Sequence, residues 1–144
     1  MRNQRTIVLV SCVAKKRPGR HQAKDLYDSP WFCKARAYAE QEGDAWYILS
    51  AKHGLLSPQK MIKKYDETLS KYKKKRAEWG KRVLADLRPI LGPRDCVILV
   101  AFKAYAEAIK EGLMSLSGCV KTPLTGKGIG EQEHWLLTSV RHSE

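Results

Sequence analysis

The sequence predicts an α/β protein, a three-layer sandwich built on a mostly parallel central sheet of about four strands. Three observations carry that expectation. Short apolar runs at 7–10, 45–49, 96–100 and 120–123 are bounded by turn residues, as buried strands are. Amphipathic stretches of helical period lie between them. The two kinds alternate, which implies parallel pairing and a sheet covered on both faces.

The first strand, Ile7 to Val10, ends at Ser11-Cys12, and a polar, basic loop runs from Lys15 to Asp28. Ser29-Pro30 predicts a helix start, with Ser29 as N-cap and proline in the first turn. Trp31, Ala35 and Tyr38 share one face of that helix, and Gly43 closes it. The strand Ala45 to Leu49 leads into Ser50-Ala51-Lys52-His53-Gly54. A loop over 57–69 contains Tyr65-Asp66-Glu67-Thr68. A long helix is expected over 70–91, with Tyr72, Trp79, Val83, Leu87 and Ile90 as its apolar stripe and Gly92-Pro93 as its stop. The strand 96–100 precedes a helix over 102–113 that turns Tyr105, Ala106, Ile109 and Leu113 inward. A glycine-rich turn, 126–130, opens a last helix over 131–138, and the tail is polar. No repeat or linker interrupts the pattern, so 1–144 is expected to form one domain.

Composition narrows the function. The N-terminal apolar run is too short for a leader or a membrane span, so a cytoplasmic protein without membrane partners is expected. The four cysteines form no CxxC pair and no histidine stands at ligand spacing, so neither a metal site nor a disulfide is expected. Cys33, Cys96 and Cys119 read as core residues. The glycines at 126, 128 and 130 match neither the Walker nor the dinucleotide pattern, so no cofactor is expected.

The net charge of +12 is confined to two segments. Residues 1–24 carry seven Lys/Arg and no acid, and residues 60–88 carry eleven against four acids. The remainder is slightly acidic. Such confinement points to a polyanion, with nucleic acid (DNA ahead of RNA) as the expected partner. A merely solubilising surface is the plainer alternative.

In open α/β sheets the ligand crevice lies beyond the carboxyl ends of the strands. Cys12, Lys15 and Lys16 after the first strand can hold a phosphate or a base, or form a simple turn. After the second strand, Ser50, Lys52 and His53 offer hydrogen bonds, a cation and a group that moves a proton near neutral pH. Asp66 can orient a water or face a cationic intermediate. Equally, Asp66 and Glu67 suit a helix N-terminus that Thr68 or Ser70 caps. Glu131 and Gln132, in the first turn of the last helix, can face a base. Lys15, Lys16, Arg17, Lys71, Lys74, Lys75 and Lys127 are candidate phosphate contacts.

LVSCVAKK at 9–16, DLYDSPWF at 25–32, ILSAKHGLLSP at 48–58, YDETL at 65–69 and GIGEQEHWL at 128–136 resemble a bacterial and phage domain-of-unknown-function family. Members of that family are labelled as similar to the peroxide-stress protein YaaA. The Ser-Cys-x-x-Lys start also resembles the archaeosine synthase core domain. The resemblance implies a uracil-DNA-glycosylase-like fold. By position it marks Cys12, Lys15, Ser29, Ser50, Lys52, His53, Gly54, Asp66, Gly130 and Glu131. The uracil glycosylase motifs Gly-Gln-Asp-Pro-Tyr and His-Pro-Ser are absent.

These readings combine into an expected DNA glycosylase that removes a modified base, with anti-phage defence as its implied setting. Asp66 or Asp28 would stabilise the sugar cation, and Lys52 and His53 the departing base. Tyr27, Trp31 or Tyr65 would stack on the extruded base. Cys12, Ser50, Glu131 and Gln132 would bind it. The rivals are a non-catalytic DNA-binding stress protein and a tRNA or DNA base-modifying transferase.

Overall fold

The computed structural model describes residues 4–141. Arg2 of the basic N-terminal segment and the end of the polar tail, 142–144, lie outside them. In chain order the elements are β1 (Thr6–Ser11), β2 (Arg20–Gln22), α1 (Ala23–Leu26), α2 (Pro30–Glu42), β3 (Ala45–Ser50), β4 (Gly54–Leu56) and β5 (Met61–Lys63), then α3 (Lys73–Leu87), β6 (Cys96–Val100), α4 (Lys103–Leu116), β7 (Cys119–Lys121) and α5 (Ile129–Arg141).

The fold is α/β on a mixed, mostly parallel five-stranded sheet of order β4-β3-β1-β6-β7. β1 lies at its centre, parallel to both β3 and β6. Five of its six residues are buried, because helices cover both of its faces. From β1 the chain crosses to β3 on one side and later to β6 and β7 on the other. Right-handed crossovers then put α2 on one face, packed with α5, and α3 with α4 on the opposite face. The order reverses at β1 and β6, the switch point where such sheets bind ligands.

Several boundaries differ from the sequence expectation. The sheet has five strands, since the antiparallel edge β4 completes it. A separate ribbon pairs β2 with β5. Each of these extra strands is only three residues long, too short for periodicity to reveal. The long helix begins at Lys73, not at 70, because Ser70 Oγ accepts the Tyr72 N–H and turns the chain first. Tyr72 is accordingly exposed rather than part of the stripe, and Ile90 lies in a turn beyond the helix. Asp66, Glu67 and Thr68 are therefore not helix caps. Ser29 does cap α2, accepting the Phe32 N–H at 3.0 Å.

The cysteine expectations are corrected. Cys33 is exposed, on the outer face of α2. Cys96 and Cys119 are register partners on β6 and β7 and form a disulfide. Strand register, which no spacing in the sequence announces, brings them together.

Two contacts fix the layers. Asp95, buried at the start of β6, takes two hydrogen bonds from Arg5 and one from the Gly92 N–H. The Arg5 guanidinium holds its carboxyl down at about 2. On the opposite face α3 and α4 cross so closely that a Cβ at Gly80 would stand 2.4 Å from the Ala108 carbonyl oxygen.

Gly80→Ala should therefore destabilise by about 1–3 kcal/mol in urea unfolding, although alanine favours a helix. Asp95 is ionised in the folded chain at pH values where the unfolded chain has already taken up its proton. Its contribution is full above about pH 4 and is lost as pH falls towards 2. Acid titration of stability should show that loss, and Arg5→Met should remove most of it.

Candidate functional site

β1 and β3 end side by side, so the residues at their carboxyl ends meet. The Cys12 N–H continues the ladder to the Leu49 carbonyl at 2.9 Å. Ser11 Oγ turns across and accepts the Phe102 N–H at 3.1 Å, tying β1 to the start of α4. Over these ends sits a buried polar cluster. The Tyr65 hydroxyl bonds Ser50 Oγ at 2.8 Å and the Tyr27 hydroxyl at 2.7 Å. Cys12 Sγ lies 3.4 Å from the Tyr105 hydroxyl. Trp79 donates its indole N–H to the Ser50 carbonyl at 2.9 Å. Among the described residues no buried side-chain polar atom lacks a partner.

Lys16 enters this cluster. It is only 6% exposed, and its amine stands 4.2 Å from the Tyr65 ring centroid and donates to the Ala14 carbonyl. Burial lowers its pKa, and the nearby Asp66 works against that shift. Burial likewise pushes the Tyr27, Tyr65 and Tyr105 hydroxyls up, so all three are neutral.

His53 closes one side. Its ring meets Tyr65 edge-on at 5.4 Å, and its backbone N–H donates to Ser50 Oγ at 3.0 Å. Burial lowers its pKa, and Lys52, Lys60 and Arg82 lower it further. Arg82 reaches across from α3 to the Lys52 carbonyl at 3.2 Å. Gly54 makes that approach possible: its φ is +70°, and a Cβ would press on the guanidinium at 3.1 Å. The Leu69 backbone reaches the Tyr105 hydroxyl, so the basic stretch that opens α3 starts beside the same cluster.

The structure thus brings together Cys12, Lys16, Tyr27, Ser50, His53 and Tyr65, with Lys52 and Asp66 exposed at the margin. Other expectations need correction. Lys16 is buried and is not a surface phosphate contact, whereas Lys15, Arg17, Lys71, Lys74 and Lys75 are exposed and Lys127 is half-buried. Tyr27, Trp31 and Tyr65 are packed inside and offer no open stacking face; Trp31 instead stacks on Phe102 at 4.4 Å. Glu131 is exposed and accepts the Gly128 N–H at 3.0 Å, a helix-end bond rather than a base contact. Asp28 stands half-exposed 4.0 Å from Arg17. Tyr105 and Trp79 were not anticipated as site residues. The one hint was that a Tyr or Trp on a buried stripe needs a partner for its polar tip.

A cavity of about 460 Å³ opens farther along the same edge, at the carboxyl ends of β6 and β7. Leu99, Ala101 and Leu124 line it, with Gln132 and three lysines. Among the described residues no group of acids, cysteines and histidines is arranged to hold a metal ion, and no helix is long and apolar enough to cross a membrane.

A model of the family described as "Family of unknown function (DUF6884)" matches residues 7–138. No curated protein matches the chain.

Tyr65→Phe should cost about 1–3 kcal/mol in denaturant unfolding, because Tyr27 and Ser50 lose their shared partner. Lys16→Met should move stability by less than about 1 kcal/mol. The loss of a cation over a ring is offset by relief of a buried charge that has no carboxylate within bonding distance.

Proposed function

The chain belongs to the DUF6884 family, and we propose that it is a DNA glycosylase that excises a modified nucleobase. We extend to it the uracil-DNA-glycosylase-like fold and the YaaA-type kinship that its motifs resemble. One observation carries the reading. His53, Lys52 and Asp66 stand at the edge of a neutral, fully bonded cluster at two parallel strand ends, with Lys60 and Arg82 close by.

Breaking a glycosidic bond leaves positive charge on the sugar and negative charge on the base. Fixed groups that match both ends lower the barrier most. Asp66 faces the sugar and positions the attacking water. It is better suited than Asp28, whose carboxylate is engaged by Arg17. His53 and Lys52 face the departing base. The three tyrosines and Lys16 hold this surface rigid beneath them. Lys15, Arg17, Lys71, Lys74, Lys75 and Lys127 grip phosphates, and the reacting base reaches the site extruded or single-stranded. Kinship suggests phage DNA as the substrate and defence as the purpose.

The test is direct. The protein is incubated with unmodified DNA, hypermodified phage DNA and tRNA, and abasic sites and free base are measured. Base release that is lost in Asp66→Ala and His53→Ala supports the reading. Salt-sensitive binding without any product points instead to a non-catalytic DNA-binding protein. A substituted base that stays attached points to a transferase.

The histidine gives a sharper expectation. His53 is held neutral to below its ordinary 6.5, so it acts as a hydrogen-bond donor rather than a cation. Any acid limb that this group gives to base release should therefore lie below 6.5, the ordinary histidine value. His53→Ala should slow single-turnover release about 10²-fold, and His53→Gln, which keeps a donor, should slow it less.

A further inference from the structure

The cavity at the carboxyl ends of β6 and β7 takes no part in the chemistry just described. The stacked pair Trp31 and Phe102 links the two places: Trp31 bonds Gln132 in the cavity lining, and the Phe102 N–H bonds Ser11 beside the polar cluster. Its floor, formed by Leu99, Ala101 and Leu124, is apolar and buried. Its rim is cationic: Lys103, Lys110 and Lys127 are opposed only by Glu107, which lies 3.9 Å from Lys103. A group that settles there is apolar in its body and anionic at one end.

Gln132 adds a recognition element. Its Oε1 accepts the Trp31 indole N–H at 2.8 Å, and its Nε2 donates to the Lys127 carbonyl at 2.9 Å. These two bonds fix the carboxamide and leave it one lone pair and one N–H. An amide that offers one donor and one acceptor is the complement of a nucleobase edge. The volume suits a small ligand of that kind.

We propose that this cavity binds a single nucleotide, with Gln132 on its base edge and Lys103, Lys110 and Lys127 on its phosphate. Its centre lies two strand positions from that of the polar cluster, about 10 Å, so the nucleotide it holds flanks the one that reacts. The flanking role rests on the glycosylase reading, but the nucleotide site does not. A flanking site would make base release depend on the neighbouring base.

The experiment titrates the full chain with dAMP, dGMP, dCMP and dTMP, using calorimetry and amide spectra that follow the Trp31 indole N–H. Saturable binding is expected, with affinities that differ about tenfold among the four bases, and the Trp31 signal should shift. Lys103→Glu combined with Lys110→Glu should weaken all four at least tenfold and leave their ranking intact. Thr125→Trp, a rim substitution that fills the opening, should abolish binding. Inorganic phosphate or ribose 5-phosphate binding as tightly as the nucleotides would overturn the proposal, since the base would then contribute nothing. So would binding that leaves Trp31 unmoved and is lost instead in Lys74→Glu with Lys75→Glu. If nucleotides bind here but no DNA releases a base, the glycosylase reading falls and the pocket stands. If base is released but no nucleotide binds here, the pocket falls alone.

Discussion

The hydroxyl of Tyr65 joins two separate parts of the chain. It bonds Ser50 at the end of β3 and Tyr27 just after α1. With the Leu69 backbone at the Tyr105 hydroxyl, it holds the extended stretch 64–70 against the strand ends. That stretch carries Asp66, and it leads into the basic start of α3. A buried hydroxyl chain costs a great deal if left half-satisfied, and each member here has its partner. The network therefore specifies one arrangement of three loops rather than a family of near-equal ones.

That arrangement sets the electrostatics. Burial raises the tyrosines and keeps them neutral, and it lowers Lys16 and His53. Every one of these shifts favours the uncharged form, and the hydroxyls around the Lys16 amine are neutral. Charges of both signs stand at its margin: Lys52, Lys60, Arg82 and Glu67 all act on His53, and Asp66 acts on Lys16. A rigid, bonded floor with charges of both signs at its margin suits a bond that separates charge as it breaks.

The sequence made the central strands legible because they are buried on both faces and read as unbroken apolar runs. Ile7–Val10 and Cys96–Val100 are of this kind. The three-residue strands were not legible, since an alternating pattern needs more length to stand out. Lys15 and Lys16 look alike in sequence. The bridge that pairs Lys16 with Tyr27 gives that stretch strand alternation, so one lysine faces out and the other in. The loop residues after β3 were legible as a site because topology alone makes strand ends functional. What each tyrosine does was not, because Tyr27, Tyr65 and Tyr105 come from three separate segments, and their hydroxyls have meaning only once these meet. The disulfide was hidden for the same reason.

The parallel sheet also constrains how a nucleic acid strand would lie on it. Strand ends are spaced evenly along one edge, so sites built on successive ends form a row. The polar cluster occupies the β1–β3 end and the cavity the β6–β7 end, with Trp31 and Phe102 linking them. The aromatic pair is bonded through Gln132 to one site and through the Phe102 N–H to Ser11 beside the other. A duplex with its bases stacked could use neither site, as both lie below the rim. A strand with two adjacent bases unstacked could use both, one at each site. The row of strand ends thus favours a locally opened strand over a closed helix.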